Sequence, residues 1–441
     1  MIRYAEIVLA LGSIVALGPA MPVAWAHGTT ERVNLGPGGV QANSWSHDAS
    51  LSADGRFVAF KSGATNLVLG DTNEADDVFV RDRQTGTTQR VNLGPGGVQA
   101  NDYTYNTAIS ANGRFVAFES LASNLVSDDT NDTTDVFVHD RKTGVTQRVS
   151  LGLGGVQAKG PSGYPSLSAD GRFVAFQSAA GNLVPGDTNG MYDVFVRDRQ
   201  TGTTQRVNVR TGGNQADSGS GEAVISADGR FVAFAATDDS NLVPGDTNDA
   251  ADIFVRDRET GITERVSLGP GNVQGSLDSV QPAISANGRF VAFYSYATNL
   301  VPGDTNIAAD VFVRDRQTGM TRRVSVGRGS IQANRFSEHP AISADGRFIT
   351  FDSEASNLVL DDTNGRPDVF VHDRKTGKTR RASLRTGGGQ GNGNSPFYSS
   401  FPAISADGHA IAFESNDSNL VPDDTNGTYA APDVFVRILV P

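Results

Sequence analysis

Four short apolar runs recur along the chain, each flanked by polar and glycine-containing stretches. In the first copy they occupy residues 49–52 (A), 56–60 (B), 77–80 (C) and 89–93 (D). All four are brief and rich in β-branched or aromatic residues, so the pattern predicts strands rather than helices. The A–B link is Asp-Gly or Asn-Gly in six copies as Ala-Asp-Gly-Arg or Ala-Asn-Gly-Arg and in the seventh as Ala-Asp-Gly-His, the strongest short-range mark of a hairpin. The C–D link, residues 82–86, closes on glycine in the same way.

The tetrapeptide Ser-Ala-Asp/Asn-Gly begins at Ser52, Ser110, Ser168, Ser226, Ser285, Ser343 and Ser405, with spacings of 58, 58, 58, 59, 58 and 62 residues. Seven four-stranded units at a fixed period predict an all-β, seven-bladed β-propeller, because a small sheet that is apolar on both faces must be sandwiched between neighbours. Phenylalanine usage agrees: 20 of the 23 fall at the three repeat positions of Phe57, Phe60 and Phe79, which reads as inter-blade core. Residues 31–35 form a D segment with no A, B or C before it, and the last copy ends after its C segment. The N-terminal strand is therefore expected to complete blade seven and remove the exposed edges at the seam.

The motif Ser-Ala-Asp-Gly-Arg-Phe-Val-Ala-Phe, followed by Asp-Val-Phe-Val-Arg-Asp-Arg-x-Thr-Gly, resembles the TolB-type, WD-repeat-like propeller repeat of bacterial exported proteins. The resemblance covers all seven copies and implies a fold and an exported location, not a reaction. The chain differs from TolB in having seven repeats and no N-terminal α/β domain, so TolB's envelope partners do not follow.

In a four-stranded antiparallel blade both tight hairpins lie at one end and both long connections, B–C and D–A, at the other. Length differences between copies fall in the long connections, as a binding face permits. Four residues before each repeat serine stand Asp48, Asn106, Tyr164, Glu222, Gln281, His339 and Phe401: seven copies, seven different residues. Segment A is innermost in a propeller, so this ring is expected around the channel mouth on the long-loop face, as a ligand site. A second constellation is Asp-Thr-Asn followed by Asp. It comprises Asp71, Asn73 and Asp77; Asp129, Asn131 and Asp135; Asp187, Asn189 and Asp193; Asp246, Asn248 and Asp252; Asp304, Asn306 and Asp310; Asp362, Asn364 and Asp368; and Asp424, Asn426 and Asp433. Such oxygens suit Ca²⁺, which takes about 6–8 of them, and equally suit Asx-turns that satisfy loop amides without metal.

Composition narrows the partners. With 37 Lys+Arg against 49 Asp+Glu the net charge is −12, which argues against nucleic acid. Residues 1–26 read as an export leader, with an apolar run from residue 7 to 17 and Ala24-Trp25-Ala26 as a cleavage site, leaving 27–441 as one propeller domain without membrane insertion. There is no cysteine, so neither disulfides nor zinc-thiolate sites arise. No G-x-S-x-G is present, and Gly377-Lys378-Thr379 lacks the upstream glycine of a P-loop. The Arg81-Asp82-Arg83 run reads as a solvated, self-neutralising strand end. The expected function is an exported, monomeric scaffold that binds an envelope or extracellular protein, or a glycan, with no required cofactor beyond possible Ca²⁺. The alternatives are a carbohydrate-active lyase or hydrolase using Asp48, Tyr164, Glu222 and His339 at the channel mouth, or a structural envelope protein.

Overall fold

The computed structural model describes residues 28–237, 240–392, 400–425 and 431–440; the expected leader and Asn426 lie outside them. Seven four-stranded antiparallel sheets are present. In blade 1 the strands are Ser46–Leu51 (A), Phe57–Ser62 (B), Asp77–Asp82 (C) and Thr87–Arg90 (D). Strands A to C run further than the apolar segments do, while D ends three residues earlier, because the chain turns inward after Arg90 and buries Val91 and Asn92 beneath the loops.

Ring closure is as the repeat arithmetic requires. The strand Thr29–Arg32 pairs antiparallel with Asp433–Ile438, in the register Thr29↔Ile438 to Arg32↔Phe435. It is the fourth strand of the last sheet.

Alternation along B and C gives each sheet two apolar faces. Ala59, Val78 and Val80 on one face of blade 1 pack against Val116, Phe118 and Phe137 of blade 2. Phe60 and Phe79 lie opposite one another in register with ring centroids 5.9 Å apart, and both are fully buried. The third phenylalanine position also packs between blades, but at the margin of the core. Phe57 is only partly buried; its ring sits between Arg56 and Arg141 of the next blade, with centroid distances of 4.7 and 4.6 Å. A Cβ on Gly113 would lie 2.2 Å from this ring, so the glycine of each hairpin admits the preceding blade's phenylalanine. At the seam Ala410 stands at the Phe position.

The rest of the repeat motif serves the same end of the molecule. Ser52 Oγ donates to Asp54 Oδ1 (2.6 Å) and accepts from Phe57 N (2.9 Å), which fixes the hairpin. Arg56 forks onto Asp82 at 2.9 and 2.6 Å. Arg141, the counterpart of Arg83, donates to Gly113 O at 2.5 Å. The Arg-Asp-Arg run is thus knitted into the hairpin face, a correction to the solvated strand end expected from composition. His139 and His372, which replace its first arginine, are buried, and burial pushes both imidazoles down to about 4.

The alanine of the motif closes the ring a second time. Ala53 N donates to Ala111 O, Ala111 to Ala169, Ala169 to Ala227, Ala227 to Ala286, Ala286 to Ala344, Ala344 to Ala406 and Ala406 back to Ala53, at 2.9–3.1 Å. This circle of backbone hydrogen bonds cinches the axis at the hairpin end. The opposite end, beneath the long loops, remains the open mouth.

Candidate functional site

Strand A carries a bulge at the same place in every blade. In blade 1, His47 pairs with Lys61 and Ser50 with Ala59, so Asp48 and Ala49 face the single residue Phe60; the register breaks at the same point in the other six. Asp48, Asn106, Tyr164, Glu222, Gln281, His339 and Phe401 all adopt left-handed backbone, with φ between 40° and 55°. The bulge re-aims their side chains toward the axis. Six of the seven, all but His339, line one cavity of about 340 Å³ at the channel mouth. His339 stands at its edge, its ring centroid 4.2 Å from that of Phe401. The expected ring therefore converges on one space.

A second tier, which the sequence reading missed, supplies acceptors to several of the bulges. It is the penultimate position of strand B: Lys61, Glu119, Gln177, Ala235, Tyr294, Asp352 and Glu414. In several blades the bulged N–H takes its acceptor from the preceding blade. Asp48 N donates to Glu414 Oε1 (2.7 Å), Tyr164 N to Glu119 Oε2 (2.7 Å) and Glu222 N to Gln177 Oε1 (3.1 Å). The residue before the bulge is cut to fit: a Cβ on Gly163 would lie 2.0 Å from Glu119 Oε2, and one on Gly221 2.4 Å from Gln177 Oε1. A second column of variation, at residues 61, 119, 177 and their counterparts, was the available signal.

The mouth is acidic. Burial raises the carboxyl groups of Glu119, Glu222, Asp352 and Glu414 above their ordinary values. Against these stand Lys61, 3.3 Å from Asp48, and two histidines: His47, 2.7 Å from Glu414, and His339, 2.8 Å from Asp352. Burial opposes charge on His339, but the bond to Asp352 and the nearby charges of Asp352, Glu338 and Glu414 together outweigh it and hold the imidazole above its usual value. Tyr164 and Phe401 present roughly half their surface, 52% and 47%.

The Asp/Asn constellation lies elsewhere, between the long loops and strand D, and an arginine occupies its centre. Arg90 bridges Asp71 and Asp77, at 2.9 Å to each. Arg148, Arg206, Arg265, Arg323, Arg381 and Arg32 do the same for the pairs 129/135, 187/193, 246/252, 304/310, 362/368 and 424/433, at 2.7–3.4 Å. Asn73, Asn131, Asn189, Asn248 and Asn364 donate to the second aspartate of their own triads; Asn306 donates to Ala333 O instead. The Asn73, Asn189 and Asn364 side-chain oxygens accept the N–H two residues on, the Asx-turn geometry. A guanidinium already occupies the space between each pair of carboxylates and offsets one of their two charges, so the triads do not fit a calcium shell. Among the described residues no group of three or more His, Asp or Glu is placed to hold a metal ion.

No protein-family model matches the sequence, and no curated protein is similar to it. Solved structures share the fold. Oligogalacturonate lyase in complex with manganese superposes with a TM-score of 0.55 at 12% identity, over 94% of this chain and 98% of that one. The oligogalacturonate lyase of Vibrio parahaemolyticus gives 0.56 at 14%, over 94% and 99%. At such identities the likeness is one of fold alone. TolB from Acinetobacter baumannii, at 14% identity over 88% of this chain and 81% of that one, reaches a TM-score of only 0.40, too loose to carry an argument. No helix among the described residues is long and apolar enough to cross a membrane.

Proposed function

We propose that the chain is an exported, non-catalytic binding protein that holds a glycan at its channel mouth. One observation carries the reading: seven non-glycine side chains are kept at seven left-handed bulges. Such a residue costs about 1 kcal/mol or more of backbone strain, and strain of this kind gathers at functional sites. Where this chain needs the same conformation only for a turn, it uses glycine or a polar residue, as at Gly70, Asp128, Gly186, Gly245, Gly303, Asp361 and Asp423 or at Glu74, Asn272 and Ser330, and never an aromatic one. At the ring it never uses glycine.

The side chains suit a sugar. The half-exposed rings of Tyr164 and Phe401 offer apolar faces to C–H groups, while Asn106, Gln281 and Asp48 offer partners to hydroxyls. Charge favours a neutral chain over a polyuronate, since carboxylates outnumber cations at the mouth and would repel another. The same imbalance weighs against the lyase alternative for acidic substrates. Glu119, Gln177 and Glu414 support backbone N–H groups of adjacent blades, a positioning task. The leader read in residues 1–26 supports export.

The test is a printed array of neutral, amino and uronic oligosaccharides probed with the chain from His27 onward, alone and as Tyr164→Ala/Phe401→Ala. Binding to a neutral glycan that weakens by about tenfold or more in the double variant is expected. Equal binding by both proteins, or release of unsaturated sugars from a uronic glycan, would overturn the reading.

A further inference from the structure

Blade 4 departs from the other six where its strand B, Phe231–Ala236, ends. The penultimate position is long or polar in every other blade and Ala235 here; the last is serine in every other blade and Ala236 here. Each change leaves a mark. Ala235 offers no acceptor to the bulged Gln281 N–H, and Glu222 takes over that bond at 2.7 Å. Ala236 deprives Ser220 of the hydroxyl partner its counterparts have, as in Ser46–Ser62 at 3.0 Å or Ser279–Ser295 at 2.9 Å. The Oγ atoms of Ser218 and Ser220 are buried with no hydrogen-bond partner among the described residues.

The space left open is a groove of about 620 Å³, bounded by Tyr192, Asp217, Ser218, Gly221, Glu222 and Ala235. Elsewhere the corresponding space is filled, by Glu119 over Gly163 or by the His47–Glu414 pair; here Gln177, over Gly221, closes only one side of the groove. Glu222 lines both the groove and the central cavity, so the two adjoin at this residue.

We infer that the ligand is a linear, uncharged oligosaccharide that enters the mouth at one end and runs outward along blade 4 across Tyr192. This rests on the glycan reading and adds to it a direction and a chain length. Tyr192 is 43% exposed and supplies a stacking platform beyond the ring. Asp217 and Glu222 line the walls as hydroxyl acceptors and as a barrier to uronate carboxylates. The hydroxyls of Ser218 and Ser220 add unused hydrogen-bonding capacity at the floor.

Calorimetric titration with cello-, chito-, malto-, xylo- and galacturono-oligosaccharides of one to six residues tests it, on the parent chain, Ala235→Gln and Tyr192→Ala. Gln at 235 is the side chain that blade 3 carries at Gln177, and Tyr192 is exposed enough to be truncated without loss of the fold. A neutral series should gain about tenfold in affinity between two and four residues, and each variant should lose that gain while keeping the disaccharide affinity. Affinity independent of length in the parent, or a length gain retained in Tyr192→Ala, would overturn the inference and leave the glycan reading standing. Failure of the parent to bind any neutral series would overturn the glycan reading, and this one with it.

Discussion

A tyrosine at φ 52° is held against its own preference, and Tyr164 shows what such a residue should do when relieved of it. Glycine adopts the left-handed region without a Cβ clash, and the Tyr164 side chain is half exposed, so little core burial is lost with it. Its N–H bond to Glu119 at 2.7 Å would survive the change. Tyr164→Gly should therefore leave the unfolding free energy unchanged or raise it by up to about 1 kcal/mol, while glycan affinity falls. Urea denaturation beside a binding assay checks both; a loss of stability above about 1 kcal/mol would show that the side chain is there for packing. The position of these residues was legible in the sequence because one column differed in every copy. Their conformation was not. A bulge is invisible to a period-of-two pattern, and its acceptor lies in another blade, 45 residues away for Glu119 and Tyr164.

Strands and hairpins were the most legible level, since Asp-Gly turns and alternating Val and Phe are local features. What joins one element to another was less so. Asp71 and Asp77 sit in a loop and at a strand start, and nothing in their spacing reveals that Arg90 from strand D reaches between them. Burial of that cluster has an energetic consequence. In blade 3 the side chains of Arg206, Asp187 and Asp193 are 9%, 4% and 0% exposed. Removal of the guanidinium would strand two carboxylates in a dry environment, a change that costs about 3–5 kcal/mol. Arg206→Met should show that loss in urea denaturation, whereas EDTA or added Ca²⁺ should leave the parent's melting temperature in place. A calcium-dependent rise in the parent would return the Asp/Asn loops to metal binding, and a silent Arg206→Met would show that the guanidinium is dispensable.

At the scale of the whole ring, two sets of carboxyl groups act on stability in opposite directions. On the hairpin face, guanidinium partners hold Asp140 and Asp315 at about 2 and Asp82, Asp198, Asp257 and Asp373 well below the usual range. Groups depressed in this way stabilise the fold above their unfolded values and cease to do so as pH falls through the folded ones. On the long-loop side and around the mouth, burial pushes Asp252 and Asp368 up to about 6 and raises Glu119, Glu222, Asp352 and Glu414. The folded chain binds these protons more tightly than the unfolded chain, so stability falls as pH rises from about 4 through about 6. Together the two sets place maximal stability in mildly acid solution, with a decline toward neutrality and a steeper one below about pH 3. Net charge of −12 would produce a similar slope by general repulsion, but salt screens that effect over a Debye length of about 10 Å at 0.1 M and leaves buried groups almost untouched. Unfolding free energies measured at pH 4.5, 6.0 and 7.5 in 0.5 M NaCl should therefore still decrease in that order. A flat profile at that salt concentration would assign the slope to surface charge, and a rise toward pH 7.5 would mean that the arginines, not burial, govern the loop aspartates.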